Sequence, residues 1–218
     1  MRGRLTGIYR ALRRAHGPQR WWPGESPFEV VVGAVLTQNT AWKNVEKALV
    51  NLRIRGLLDP EGIQKTSRSR LQRLLRPAGY FRVKEVRLRS VVSWWHERGG
   101  ERGLAKLPLG PLRRDLLAVH GVGPETADSI LLYALGRPTF VVDAYTRRIF
   151  RRLGLVPEAW SYEEVRTFFE GNLPRNVALW NDFHAQIVRL GSTRCRPKPL
   201  CSACSLRRRC LVPRGAAP

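Results

Sequence analysis

The sequence predicts an all-α fold. Three observations carry that expectation. Apolar residues recur at the three-and-four spacing of a helix through most of the chain, and few stretches alternate with the period of two of a half-buried strand. Gly and Pro fall at the joins between the periodic segments. With 218 residues, the chain is long enough for one large helical domain or two small ones with a real core.

The elements follow in order. The opening segment, MRGRLTGIYRALRRAHG, reads as an amphipathic helix with Leu5, Ile8, Tyr9 and Leu12 on one stripe. Ser26-Pro27-Phe28-Glu29 is a capping box with proline at the first helical position. The run after it, VVVGAVL, is apolar nearly all round, which predicts a central, buried helix. Thr40 is expected to cap the next helix, whose stripe is Val45, Ala48, Leu49 and Leu52. Further helices are expected over 59–66, 68–76, 83–97, 111–118, 124–135, 144–153, 161–171 and 175–190. Trp94 and Trp95 read as packing residues of their helix.

Hydrophobic residues at 43% and charged residues at 26% are ordinary for a globular protein. The charge balance is not: 39 Lys and Arg against 17 Asp and Glu give +22. A field of that size favours polyanions, and nucleic acid first among them. Arginine supplies most of it, which suits bidentate phosphate contacts. Apolar runs fall short of the roughly 18 residues of a membrane span, and the N-terminus lacks the apolar core of a signal peptide. A cytoplasmic monomer without a membrane partner, nucleoid-associated through DNA, is expected.

Three stretches carry the chemistry. In HGVGPETADSILLYALG, Pro124 suits the first turn of a helix and Gly136 its end, with Ala127, Ile130, Leu131, Ala134 and Leu135 on the buried face. A short helix, PLRRDLLAV, precedes it. The unit is helix, Gly121-Val122-Gly123 hairpin, helix. Glycine permits a tight hairpin, and the amides at the second helix's start form a ready phosphate site, although a plain helix–helix turn also uses glycine. Asp143, after Val141-Val142 and before AYTRRIFRRL, is placed to cap a helix. Cys195, Cys201, Cys204 and Cys210 crowd the C-terminal stretch, and in a cytoplasmic chain they read as a metal site rather than disulfides. Zinc and a 4Fe–4S cluster both accept four thiolates. The single C-x2-C pair leans toward iron–sulfur. Arg194, Arg196, Lys198, Arg207, Arg208 and Arg209 decorate the loop, which suits either plain solubility or a metal-stapled basic loop on phosphate, the second being favoured.

Hairpin, downstream Val-Val-Asp and the four-cysteine loop together resemble the endonuclease III family of helix-hairpin-helix DNA glycosylases, over roughly 20–212. The resemblance implies two helical domains with the active site in the cleft between them. A six-helix barrel is expected over 25–136. A discontinuous domain of 1–24 and 137–218 would carry a 4Fe–4S cluster at 195–210. The family spacing is C-x6-C-x2-C-x5-C, and this chain is one residue short in the first gap. Asp143 matches the catalytic aspartate, whose charge would face the oxocarbenium-like transition state or position water. Glu125 stands where bifunctional members carry the Schiff-base lysine, which implies base excision without efficient strand cleavage.

The segments WWPGESPFEVVVGAVLTQNT and TAWKNV resemble the endonuclease III-like 3-methyladenine glycosylases. The resemblance puts Trp21, Trp22, Pro23 and Trp42 around the flipped base, where indole faces attract a cationic alkylpurine by about 0.5–2 kcal/mol. Ala34 stands where adenine glycosylases carry a catalytic glutamate. In the family, the region of Gln38 and Asn39 plugs the hole left by the extruded nucleotide. The expected function is a monofunctional DNA glycosylase for alkylated purines in base excision repair, acting on duplex DNA with a damaged base. Two alternatives stand beside it: a glycosylase for oxidised pyrimidines or mismatches with weak lyase activity, and a non-catalytic damage-binding protein.

Overall fold

The computed structural model describes residues 1–19 and 21–212. Position 20 and residues 213–218, which the expected discontinuous domain includes, lie outside the described residues. The protein is helical, with no strand among the described residues. Two compact units emerge: Met1–Trp22 with Pro138–Pro218, and Pro23–Arg137.

The contiguous unit is built around α2 (Pro27–Leu36), every residue of which from Phe28 on is buried. Ser26 caps it by accepting from Glu29 N. The reciprocal half of the expected capping box is not made: the Glu29 carboxylate accepts from Glu25 N and pairs with Arg53 instead. The helix α3 (Trp42–Arg53) buries Val45, Ala48, Leu49 and Leu52, the stripe read from the sequence. Its N-cap is Ala41, not Thr40. The Thr40 hydroxyl donates to Ala78 O and accepts from Lys84, so tertiary partners take the group a cap would have used.

Next come α4 (Pro60–Lys65), α5 (Arg68–Leu75), a 3-10 turn at Arg76–Ala78, and α6 (Phe81–Glu97). Arg89 of α6 donates to the Ile63, Gln64 and Thr66 carbonyls, satisfying the end of α4. Trp94 and Trp95 are packing residues, 4% and 5% exposed; Trp95 meets Phe28 edge-on, and Trp94 donates to Asp115. A short α7 (Gly100–Leu104) begins at a glycine pair that reads as a break. Then α8 (Leu109–Leu117) leads to the hairpin and α9 (Pro124–Ser129). The helix α9 continues as one wider π turn, Ile130–Ala134, rather than as regular α-helix to 135. Gly136 ends it at φ 58°, with Arg137 N bonded back to Leu131 O.

The second unit gathers both chain ends. The amphipathic α1 (Arg2–His16) buries Leu5, Ile8, Tyr9 and Leu12. It packs on α12 (Val177–Thr193), where Tyr9 Oη donates to Asp182. Phe140, Phe150, Phe169, Trp180 and Phe183 form an aromatic core in which Phe140 stacks on Phe169 at 4.2 Å. The buried segment 139–142 is non-helical and pairs with no strand among the described residues, and side chains of α11 (Tyr162–Asn172) serve instead. Glu170 accepts from Phe140 N, and Tyr162 Oη accepts from Val142 N. That segment delivers Asp143 to the start of α10 (Ala144–Arg152).

Candidate functional site

The hairpin is held from below. Gly121 sits at φ +81°, and a Cβ there would lie 2.2 Å from Arg87 Cγ. Only glycine fits both the backbone and the space. Val122 is buried and anchors the turn. Gly123 is the N-cap of α9, exposed, with open space where a Cβ would be. Beneath the turn Arg113 grips Asp128 in two bonds, 2.7 and 2.9 Å, which ties α8 to α9 through a fully buried carboxylate. Glu125 lies exposed in the first turn of α9, where a carboxylate suits the helix dipole.

The polar turn after α2 splits its two candidates. Gln38 is engaged inside the unit: its amide donates to Gly121 O and Thr126 Oγ1, and its carbonyl accepts from Arg87 at 2.6 Å. Asn39 is exposed, with a left-handed backbone at φ 52°. Lys84, 1% exposed, holds this turn against the next. Its ammonium donates to Leu36 O, Thr40 Oγ1 and Ala78 O at 2.7–2.9 Å. Burial and the nearby Arg87 charge push its pKa down to about 8. Neither Lys84 nor Arg87 stands out in the sequence, because each is one basic residue among many on α6.

Asp143 caps α10, as its place in the sequence predicts. One oxygen, Oδ1, accepts from both Thr146 N at 2.7 Å and Thr146 Oγ1 at 2.8 Å. The other, Oδ2, faces His184 Nε2 at 3.6 Å. The side chain keeps only 12% of its surface. Burial pushes the carboxyl up, but the His184 ring and the Thr146 bonds overcome it and hold Asp143 below the usual carboxylate range. The site is therefore a charged, oriented carboxylate at the edge of an aromatic core. His184 carries no signal in the sequence, since a lone histidine on an apolar helix face reads as a core residue.

The expected base-pocket residues fall in both units. Trp21 and Trp22 are half-buried in the discontinuous unit, their rings 5.2 Å apart. Pro23 and Trp42 belong to the other. Trp42 opens α3, half-buried, its indole N–H donating to Glu46 at 2.7 Å. Ala34 is buried in α2.

Cys195, Cys201, Cys204 and Cys210 all line one small, partly open pocket with Arg152, Leu200 and Val212. Arg152 organises the loop. It donates to Cys195 Sγ at 3.2 Å and to the Arg196 and Pro197 carbonyls, while its own carbonyl accepts from Leu211 N. Arg148 donates to Cys195 O and Gly191 O. Burial, with the neighbouring cysteines behind it, pushes the Cys204 thiol up. Such thiols become thiolates when a cationic metal group supplies the opposite charge. Among the described residues no three metal-binding side chains converge tightly enough to hold a single ion. Four soft donors around one cavity fit a group with its own volume. Arg196 and Lys198 are exposed on the loop.

Two helices joined by a glycine hairpin, in an all-helical frame with a charged aspartate capping a later helix, define a helix-hairpin-helix protein. The family model of HhH-GPD superfamily base excision DNA repair proteins matches residues 32–175, and the chain belongs to that superfamily, whose members act on DNA. A protein of Methanocaldococcus jannaschii named as a DNA repair glycosylase is 46% identical over 207 residues, covering 94% of each chain. The structure is also similar to the 3-methyladenine DNA glycosylase MagIII of H. pylori bound to 1,N6-ethenoadenine. Identity there is 29% and the TM-score 0.74, covering 85% of this chain and 96% of that one. An endonuclease III in a non-covalent DNA complex shares the fold at 21% identity and a TM-score of 0.80, covering 96% and 95%. Among the described residues no helix is long and apolar enough to cross a membrane.

Proposed function

We propose that this protein is a monofunctional DNA glycosylase that hydrolyses the N-glycosidic bond of cationic alkylpurines such as 3-methyladenine. The observation that carries the reading is Asp143: a buried carboxylate whose cap bonds use one oxygen and whose burial is overcome so that it stays ionised. As the bond to the base breaks, its electron pair leaves with the base, which departs neutral from a cationic purine. Positive charge develops on the sugar, and the Asp143 carboxylate stabilises it. Water then adds to C1′ and releases one proton. Trp21, Trp22, Pro23 and Trp42 supply the faces for the flipped cation. Gly121, Val122 and Gly123, with Arg196 and Lys198, hold phosphates, and the turn of Gln38 and Asn39 occupies the vacated stack. Glu125 at the lysine position of bifunctional members supports release without β-elimination. The similarity to MagIII supports the substrate class.

The residues that would hold a 4Fe–4S cluster are Cys195, Cys201, Cys204 and Cys210. When bound, it supplies a staple for the basic loop rather than a step in hydrolysis.

The test is a panel of duplexes carrying 3-methyladenine, 7-methylguanine, thymine glycol or uracil under one set of conditions. The alkylpurines should be released fastest, strands should break only after alkali, and borohydride should trap little covalent complex. Faster release of the neutral pyrimidines would overturn the substrate class, and efficient trapping the monofunctional mechanism. No release of any base would leave a damage-binding protein.

A further inference from the structure

The carboxylate of Asp143 is held from both sides, and only one side is explained by the helix it caps. Oδ1 takes both Thr146 bonds. Oδ2 is left for chemistry, and the group opposite it is His184 Nε2, from α12. We propose that His184 is a positioning residue for Asp143: its ring fixes the direction of Oδ2, the oxygen that faces the developing charge on the sugar. The inference rests on the reading of Asp143 given above.

Several observations converge on it. His184 is 4% exposed, and it follows Phe183 in the aromatic core. Its ring stands edge-on to Phe140 at 6.4 Å and 83°. Phe140 is in turn stacked on Phe169 and lies in the non-helical segment that delivers Asp143. The ring is therefore clamped by the same core that sets the path of the Asp143 backbone. A core position of this kind is filled as well by leucine or phenylalanine, which bury no polar nitrogen. An imidazole there makes sense through the carboxylate it faces.

The charge argument points the same way. Burial alone would favour a neutral Asp143, which could not stabilise a cation. Of the influences that oppose burial, His184 is the largest, ahead of the Thr146 bonds.

The experiment separates His184 from the choice of damaged base. Two duplexes are compared, one with a cationic pyrrolidine abasic analogue that mimics the charged sugar, the other with a neutral tetrahydrofuran analogue. The wild-type chain should prefer the cation, and Asp143→Asn should abolish the preference. His184→Leu should reduce it by about 10-fold, the equivalent of one pKa unit of support for the carboxylate charge, with tetrahydrofuran affinity unchanged. His184→Gln, whose amide nitrogen reaches toward the Nε2 position, should restore most of it. A merely structural histidine would weaken both duplexes together and would not be rescued by glutamine. A second measurement needs no core substitution. The His184 ring-nitrogen resonances should shift on binding the cationic duplex, and not the neutral one, and the shift should vanish in Asp143→Asn. If Asp143→Asn loses the preference while His184→Leu and the resonances are unmoved, the inference falls alone. If the wild-type chain shows no preference and Asp143→Asn equals it, the reading of Asp143 falls and takes the inference with it.

Discussion

Gly121 and Gly123 look alike in the sequence and do opposite work. At Gly121 the left-handed backbone and the Arg87 stem both forbid a side chain. At Gly123 the backbone is extended at φ −92° and the space is open. Gly121→Ala should cost about 1–2 kcal/mol for the left-handed conformation alone, and more for displacing Arg87. Trimming Arg87 to alanine in the same chain should return the second part and not the first, so a double-mutant cycle should show coupling. Gly123→Ala should cost no more than about 1 kcal/mol, as alanine is the poorer N-cap, but weaken duplex binding, because a methyl group would occupy the space through which phosphate approaches the amides. Equal melting losses in the two variants would contradict this division.

Between elements, buried charge decides the geometry. Lys84 joins the end of α2 and the turns at 37–40 and 76–78 through three neutral oxygens. In the folded state it loses its proton at about pH 8, and in the unfolded chain near 10.5. Between those values the unfolded chain binds more protons, so stability should rise with pH, by at most about 1.4 kcal/mol per unit for one proton. Denaturant unfolding from pH 7 to 10.5 should show that rise in the wild-type chain and not in Lys84→Met; parallel profiles would refute it.

The same scale sets what the sequence reveals. The apolar run of α2, the stripe of α3, Pro124 with Gly136, and the Asp143 cap are local signals, and each appears where its pattern places it. Thr40 and Glu29 follow cap rules in the sequence but are drawn to Ala78, Lys84 and Arg53, partners that local spacing does not name. The non-helical 139–142 path depends on Glu170 and Tyr162, some 20–30 residues away. For the site, the aspartate, the hairpin and the cysteines are legible because their residue types are scarce or their spacing is tight. His184, Arg87 and Lys84 are not, because their meaning is a distance in space.

At the scale of the molecule, a charge of +22 sets the expected response to a polyanion. If about five phosphates are neutralised, log K for duplex DNA should fall with log salt at a slope near −4.5. If the four cysteines hold a cluster, its removal should free Arg196 and Lys198 on the loop between them. The slope should then flatten by about one unit for each phosphate these side chains cease to neutralise. A slope near zero in the intact protein would remove the electrostatic account.

The pairing of α1 with α12 also has a consequence in time. Tyr9 and Asp182, which bond across the two helices, are 173 residues apart in the chain. On a ribosome the first helix emerges long before its partner, and an isolated helix of 15 residues is marginal in water. Its apolar stripe, Leu5, Ile8, Tyr9 and Leu12, lacks its α12 partner until that helix has been made. The contiguous unit, Pro23–Arg137, suffers no such delay, since each of its helices finds partners within the same stretch. Synthesis therefore imposes an order in which the hairpin is built first and the aspartate and cysteine loop are completed last. A nascent chain stalled before residue 177 would lack α12 and with it the clamp on Asp143.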